Sequence, residues 1–202
     1  ANDNAFPVFA IVPGQAAVAV FGRAITGLTA QEVELFLAGR DDFLEVETAA
    51  EGLGPVFNGL SCAQCHSVPN VGGSGGIMEM RAGSLDAAGS FQDPPGGSLI
   101  NLFSLPPHTA QEVVPATANV VAFRRPIPLF GAGLVEAIPD SAILALVNQA
   151  GKPPGVAGRA HLVTDPGTGT VRVGRFGWKA VFATLRAFAA VAYRDEMGIT
   201  NE

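Results

Sequence analysis

The stretch Cys62-Ala-Gln-Cys65-His66 restricts this chain more than any other. It holds both cysteines of the 202 residues, three positions apart, with a histidine directly behind the second. Three chemistries use a C-x-x-C pair. A redox disulfide of this kind normally opens a helix after a strand, within a βαβ unit, but the flank here, "GLGPVFNGLS", carries no strand pattern. Structural zinc takes four ligands, commonly two cysteine pairs or two cysteines and two histidines. No further cysteine exists, and His108 and His161 lie outside finger spacing. The third chemistry is covalent haem attachment, whose recorded pattern is C-x-x-C-H. Two thiols three apart on a helical turn can form thioethers with the two vinyl groups of one porphyrin. The next residue then lies under the ring, where an imidazole nitrogen can bind iron and leave the opposite face for a second ligand or a substrate. This reading uses every cysteine and makes one covalent haem c, held by Cys62, Cys65 and His66, the expected cofactor.

Composition sets the frame around the motif. Hydrophobic residues make up 48% of the chain and charged residues 15%, which suits one domain with a packed core. Twenty-five glycines and fifteen prolines predict long irregular connections. The formal charge is −6 and no basic patch is present, which argues against nucleic acid and anionic membrane surfaces as partners. Long-range attraction weakly favours a basic protein partner instead. Asn4–Phe21 lacks charge, but Pro7, Pro13, Gly14 and Gln15 interrupt it. A membrane helix needs about 20 apolar residues. Residues 1–25 therefore read as an arm that packs on a domain spanning 26–202. No basic stretch ahead of a short apolar core marks a signal peptide, and "ANDNAF" is taken as a mature start.

Along the chain, Thr29 and Glu32 have capping-box spacing, and Val33, Phe36, Leu37 and Phe43 recur at helical intervals behind them. Residues 67–120 read as mostly irregular, broken by "GGSGG", "DPPGG" and "PPH". "PDSAILALVNQAG" predicts a second helix, with Asp140 as N-cap and Gly151 as stop. "HLVTDPGTGTVRVG" predicts a small hairpin around its Pro-Gly turn. A third helix is expected over "WKAVFATLRAFAAVAYRDEMG", with Val181, Leu185, Phe188, Ala189 and Ala192 lining one face.

Four blocks, "LTAQEVELFLAGRDDFLEVE", "GLGPVFNGLSCAQCHSVPNVGGSG", "RRPIPLFGAGLVEAIPDSAIL" and "GRFGWKA…EMGITN", follow one another in an order that resembles the bacterial di-haem oxidoreductases, peroxidase-like relatives of di-haem cytochrome c peroxidase. The resemblance runs from about residue 26 to the last residue. That family pairs two cytochrome c-like domains, one haem taking electrons and the other meeting peroxide. This chain resembles the first domain only, so the resemblance implies a redox partner, with a second haem-bearing subunit among the candidates. Trp178 resembles the tryptophan that lies between the two haems, and its plainer reading is a core aromatic. Glu196 resembles the distal glutamate that handles protons during O–O cleavage; otherwise it is a solvated residue at a helix end. Where the peroxidases carry a distal glutamine, this chain has Phe188, a departure that weakens the peroxidase reading. Met197 is the leading sixth iron ligand, with Met80 and Met78 as alternatives on a loop that could fold over the ring; methionine otherwise fills cores. Arg81, Arg124, Arg125 and Arg175 are candidates to hold haem propionates through paired hydrogen bonds.

Together these readings predict a mainly α-helical, cytochrome c-like domain with long loops and one small hairpin. The expected role is electron transfer within a di-haem peroxidase-like system. Peroxide reduction by this chain itself and a haem-bearing structural subunit of a larger redox complex are the rivals. Because cytochrome c maturation takes place outside the cytoplasm, the expected location is the periplasm or another exported compartment.

Overall fold

Thr29 opens the first helix, α1 (Ala30–Leu44), as the sequence predicts: its hydroxyl accepts from the Glu32 N–H while the Glu32 carboxylate accepts from the Thr29 N–H. This reciprocal pairing satisfies two of the donors that a helix start leaves open. The fold is seen in a computed structural model that describes residues 20–107, 110–147, 149 and 151–201. Most of the expected arm, residues 1–19, and His108 lie outside the described residues.

Beyond α1 the order is β1 (Val56–Phe57), α2 (Cys62–Cys65), β2 (Glu79–Leu85), β3 (Phe91–Gln92), β4 (Leu99–Ile100), β5 (Phe103–Ser104), β6 (Val120–Arg124), α3 (Ala132–Glu136), α4 (Asp140–Val147), β7 (Leu162–Thr164), β8 (Val171–Val173) and α5 (Leu185–Met197). The longest strand, β2, is central to the largest sheet. β4 and β6 pair with Met80 and Arg81 on its opposite edges, and β3 pairs with its end at Ser84 and Leu85. All of these pairings are antiparallel. β1 pairs with β5, and β7 with β8.

The mainly α, cytochrome c-like expectation is therefore overturned. The described residues hold eight strands in three sheets beside five helices. The error lies chiefly in residues 67–120, read as irregular but carrying β2 to β5 and the first residue of β6. Strands of two residues are too short to show alternation, and glycine and proline on either side read as loop. Met80 accordingly sits in a strand, opposite Ile100 and Phe123, rather than on a loop that could fold over the ring. The β7–β8 hairpin forms as predicted, in register Val163 to Arg172.

Two helix starts differ from expectation. α5 begins at Leu185, not near Trp178. Gly177, Lys179 and Ala180 all have φ between 55° and 75° and reverse the chain there, and Phe176 bridges back to Phe182. Thr184 then caps the helix through the Ala187 N–H. Asp140 is the first residue of α4 but sends its carboxylate away, to the Val173 N–H at 2.8 Å and to Arg172 and Arg175. It ties α4 to β8 instead of capping. Those donors hold its carboxyl below the usual carboxylate range, the Val173 N–H most of all.

The core is small. Leu53, Phe57 and Met197 form its buried cluster, with Leu60, Leu105, Tyr193 and Ile199 packed around it. The C-terminal turn of α5 is held by the segment that leads into α2. The Gly54 N–H donates to the Met197 carbonyl (2.9 Å), the Asn58 N–H to the Glu196 carbonyl (2.7 Å), and the Asn101 amide to the Asp195 carbonyl (2.9 Å). These are the carbonyls that a helix end leaves without partners. The approach is close enough that a Cβ on Gly54 would lie 2.4 Å from the Gly198 Cα. Two facing glycines thus allow the contact that sets α5 beside the cysteine motif.

Candidate functional site

Ser61 starts the one-turn helix α2: its hydroxyl accepts from the Gln64 N–H at 3.1 Å. Cys62 and Cys65 occupy the first and last positions of that turn, both partly exposed and both free thiols. His66 follows as the C-cap, its N–H donating to the Cys62 carbonyl at 3.0 Å. The loop after it folds straight back. The Gly72 N–H donates to the His66 carbonyl, and a Cβ on Gly75 would fall 2.1 Å from the Cys65 carbonyl oxygen.

This loop orients the imidazole. His66 Nδ1 lies 2.9 Å from the Gly73 carbonyl oxygen. A carbonyl only accepts, so Nδ1 carries the proton and the neutral ring has its lone pair on Nε2. Anchoring one ring nitrogen to a backbone carbonyl is the usual support for an imidazole that binds a metal through the other. On the α1 side, the Phe43 ring stands 6.3 Å from the His66 ring.

Burial pushes the Cys62 thiol up, and Glu47 adds to the effect. Burial also raises the Cys65 thiol, followed by the charges of Glu196 and Cys62. Redox-active C-x-x-C pairs work through a lowered thiol pKa, so these environments run against a disulfide exchanger. Among the described residues, no group of three or more His, Cys, Asp and Glu side chains is placed to hold a metal ion.

Glu196 is the acidic residue that acts on Cys65. Its carboxylate accepts from the Asn58 amide at 2.7 Å. Burial raises its carboxyl above the ordinary range, against the opposing pull of the Asn58 hydrogen bond. Asn58 is itself only 2% exposed. Its side-chain oxygen takes the Leu102 N–H at 2.9 Å, so its NH2 group must face Glu196. Neither Asn58 nor Gly73 was legible in the sequence as a site residue. A lone asparagine and a glycine carry no spacing signal, and their roles come from long-range contacts. Ser61 was legible in principle, as a serine at the N-cap position of a helical turn.

The remaining candidates separate into groups. Met197 is 5% exposed, within the core cluster beside Leu60. Met80 is half-buried in β2, and Met78 is exposed just before it. Arg81 pairs with Glu79, and Arg124 reaches the same carboxylate at 3.7 Å. The charges of Glu79 and Arg81 both act on the Glu196 carboxyl. Arg125 is exposed. Arg175 lies elsewhere, its side chain 3% exposed, donating to the carbonyls of Val135, Glu136 and Ile138 and to Asp140. It is a structural tie at the end of α3, and its donors are consumed there. Trp178 is 62% exposed, not a core aromatic, and the Arg124 guanidinium stacks over it at 4.6 Å. Phe188, at the position of the family's glutamine, packs edge-on against Phe182 at 5.5 Å. His161 bonds through Nδ1 to the Lys179 carbonyl, away from the motif.

A cavity of about 380 Å³ opens beside α2 and is lined by Phe57, Leu60, Gln64, Phe103, Ser104 and Gln111. Among the described residues no helix is long and apolar enough to cross a membrane.

Comparison with known proteins returned no matching curated protein and no matching solved structure. It did return a family model, described as "Di-haem oxidoreductase, putative peroxidase", which matches residues 114–202. The match takes in Trp178, Glu196 and Met197 but not the C-x-x-C-H motif, so the motif and the family assignment are independent observations from separate stretches of the chain. Over residues 114–202 the chain is therefore similar to the di-haem oxidoreductase family, and that similarity supports a redox function.

Proposed function

We propose that this chain is a c-type haem domain that transfers electrons, with one haem held through thioethers at Cys62 and Cys65 and bound at iron by His66. The observation that carries the proposal is the geometry of α2: two free thiols on one helical turn, then an imidazole whose Nδ1–H is fixed on the Gly73 carbonyl and whose Nε2 is left to coordinate. These residues fit the group, which when bound supplies one-electron redox chemistry at its iron. The protein's part is to tether, orient and shield. Ser61 holds the turn, Gly73 fixes the ring, and the α5 clamp sets Glu196 and Met197 beside the motif. Met197 is the proposed sixth ligand, since a thioether suits an electron-transfer haem. Arg81 and Arg124 are the proposed propionate partners on the sheet side. A second haem on a further domain or subunit is the proposed redox partner, and an exported compartment the proposed location, because thioether formation takes place there.

Glu196 favours a second reading. A partly buried carboxyl, raised by burial and oriented by Asn58, is suited to pass a proton at its Oε1 atom. In that reading the chain reduces peroxide itself. The spectrum of the haem-loaded protein decides. A six-coordinate, low-spin iron that ignores cyanide and peroxide is the result expected for electron transfer. A high-spin iron that binds cyanide, with peroxide turnover falling about 10²–10⁴-fold in Glu196→Gln, would establish the enzyme instead.

A further inference from the structure

The charge of this chain is not spread evenly. Residues 29–51, which comprise α1 and the turn after it, contain seven carboxylates and one arginine. That segment alone carries a formal −6, the value of the whole chain, and the other residues balance at eleven of each sign. α1 also buries none of its residues, and the element it packs against is α2. Val33, Phe36, Arg40 and Phe43 face inward and are half-buried. Along one edge of that inward set, Leu37 and Leu44 are 46% and 37% exposed. They lie seven residues apart, hence on one stripe, with Asp41 between them at helical spacing. Glu34, Asp42 and Glu45 flank that stripe.

The helix breaks local rules to build this face. No basic residue lies in its last turn, where Asp41 and Asp42 oppose the negative end of the helix dipole. Asp41 and Glu45 also repel at i,i+4. Each such placement costs a few tenths of a kcal/mol or more. A local choice that lowers the helix's own stability points to a role beyond forming the helix. The face is also next to the proposed redox centre, since α1 contacts α2 and Phe43 stands against the His66 ring.

We propose that the outer face of α1 is the docking surface for a basic, lysine-rich redox protein, which presents an apolar centre to Leu37 and Leu44 and cations to the surrounding carboxylates. This rests on the electron-transfer reading. Charge complementarity selects the occupant. Apolar contact alone would suit a second copy of this chain equally well, but a second copy would bring the same six negative charges to the contact. An acidic rim around an apolar stripe mainly raises the association rate, and it does so in a salt-dependent way.

The test uses the full haem-loaded chain and two reduced probes, a lysine-rich basic cytochrome c and an acidic one. Stopped-flow rates are read from low ionic strength to about 0.2 M, where screening is nearly complete beyond about 8 Å. The basic probe should react at least about tenfold faster at the low-salt end, and the acidic probe slower there. The triple variant Asp41→Lys/Asp42→Lys/Glu45→Lys should reverse both slopes while keeping the helix, because lysines favour its C-terminal end. Asp93→Lys, an exposed control far along the chain from α1, should leave the slopes nearly unchanged. A salt-independent rate, or a triple variant that behaves like the parent, would overturn the proposal. So would sedimentation showing that α1 joins two copies, with Leu37→Glu restoring the monomer. Sedimentation binding of the basic probe needs no haem on this chain. Binding without electron transfer would sink the haem reading and keep the surface; electron transfer without charge-dependent binding would do the reverse.

Discussion

The segment before the cysteine motif and helix α1 are neighbours in sequence and opposites in construction. Residues 53–61 hold four of the buried side chains among the described residues, Leu53, Phe57, Asn58 and Ser61, and their backbone takes up the free carbonyls of α5 across about 140 positions. α1 has a sound cap and no buried residue. One region is ordered by tertiary contacts that local sequence barely announces. The other is announced clearly by local sequence and then left with its apolar and acidic face outward. The contrast teaches that strength of local signal and depth of burial are separate quantities. Where they diverge, the reason is found in what the region meets, which is α5 in the first case and, as proposed, a partner in the second.

Breaking the buried side should have the largest effect. Met197→Ala removes a side chain 5% exposed from the buried cluster it forms with Leu53 and Phe57. Truncations of this kind cost about 2–5 kcal/mol, readable as a lower midpoint in chemical denaturation. In the haem-loaded protein the same variant should lose the sulfur-to-iron charge-transfer band and lower the potential. A band that survives there and disappears in Met80→Ala would move the sixth ligand to β2.

Next in size is a pH effect at the clamp. Because burial raises the Glu196 carboxyl, the folded protein binds that proton more tightly than the unfolded chain. Its contribution to stability is therefore present below the ordinary carboxylate range and is lost as pH rises through the raised value. Glu196→Gln keeps an acceptor for Asn58 and cannot titrate. Measured against it, the parent should be relatively more stable in mild acid and lose that advantage towards neutral pH. A difference between the two that does not change with pH would remove the buried-carboxyl account.

On the α1 side the effects should be small. Thr29→Ala removes the capping box and should cost about 1 kcal/mol. Leu35→Ala, at a position 66% exposed, should stay within about 0.5 kcal/mol. A loss of several kcal/mol at Leu35 would show that α1 is packed after all, and the comparison between the two regions would collapse.

These differences also explain what could be read in advance. The capping box, the β7–β8 hairpin and the helical turn at Cys62 rest on contacts within a few residues, and the sequence displays them. The sheet around β2 does not. Its partners are two to five residues long and come from positions 91 to 124, so no window holds enough alternation to reveal it. Trp178 misled because a lone tryptophan reads as core, whereas left-handed conformations at Lys179 and Ala180 turn this segment outward under Arg124. Arg175 misled for the opposite reason: arginine reads as surface, and this one is spent on the carbonyls at the end of α3. Glu196 was named through resemblance, but its partner Asn58 lies 138 positions away and only the fold brings them together.

The central claim is that Cys62 and Cys65 carry a haem. Intact mass of the protein matured in a host with cytochrome c assembly, after denaturation in acid and extraction with organic solvent, tests it most directly. The account predicts the polypeptide plus one haem in the parent, and loss of the adduct in Cys62→Ala/Cys65→Ala. A parent whose mass equals the bare polypeptide, with all haem passing into the solvent, would contradict it.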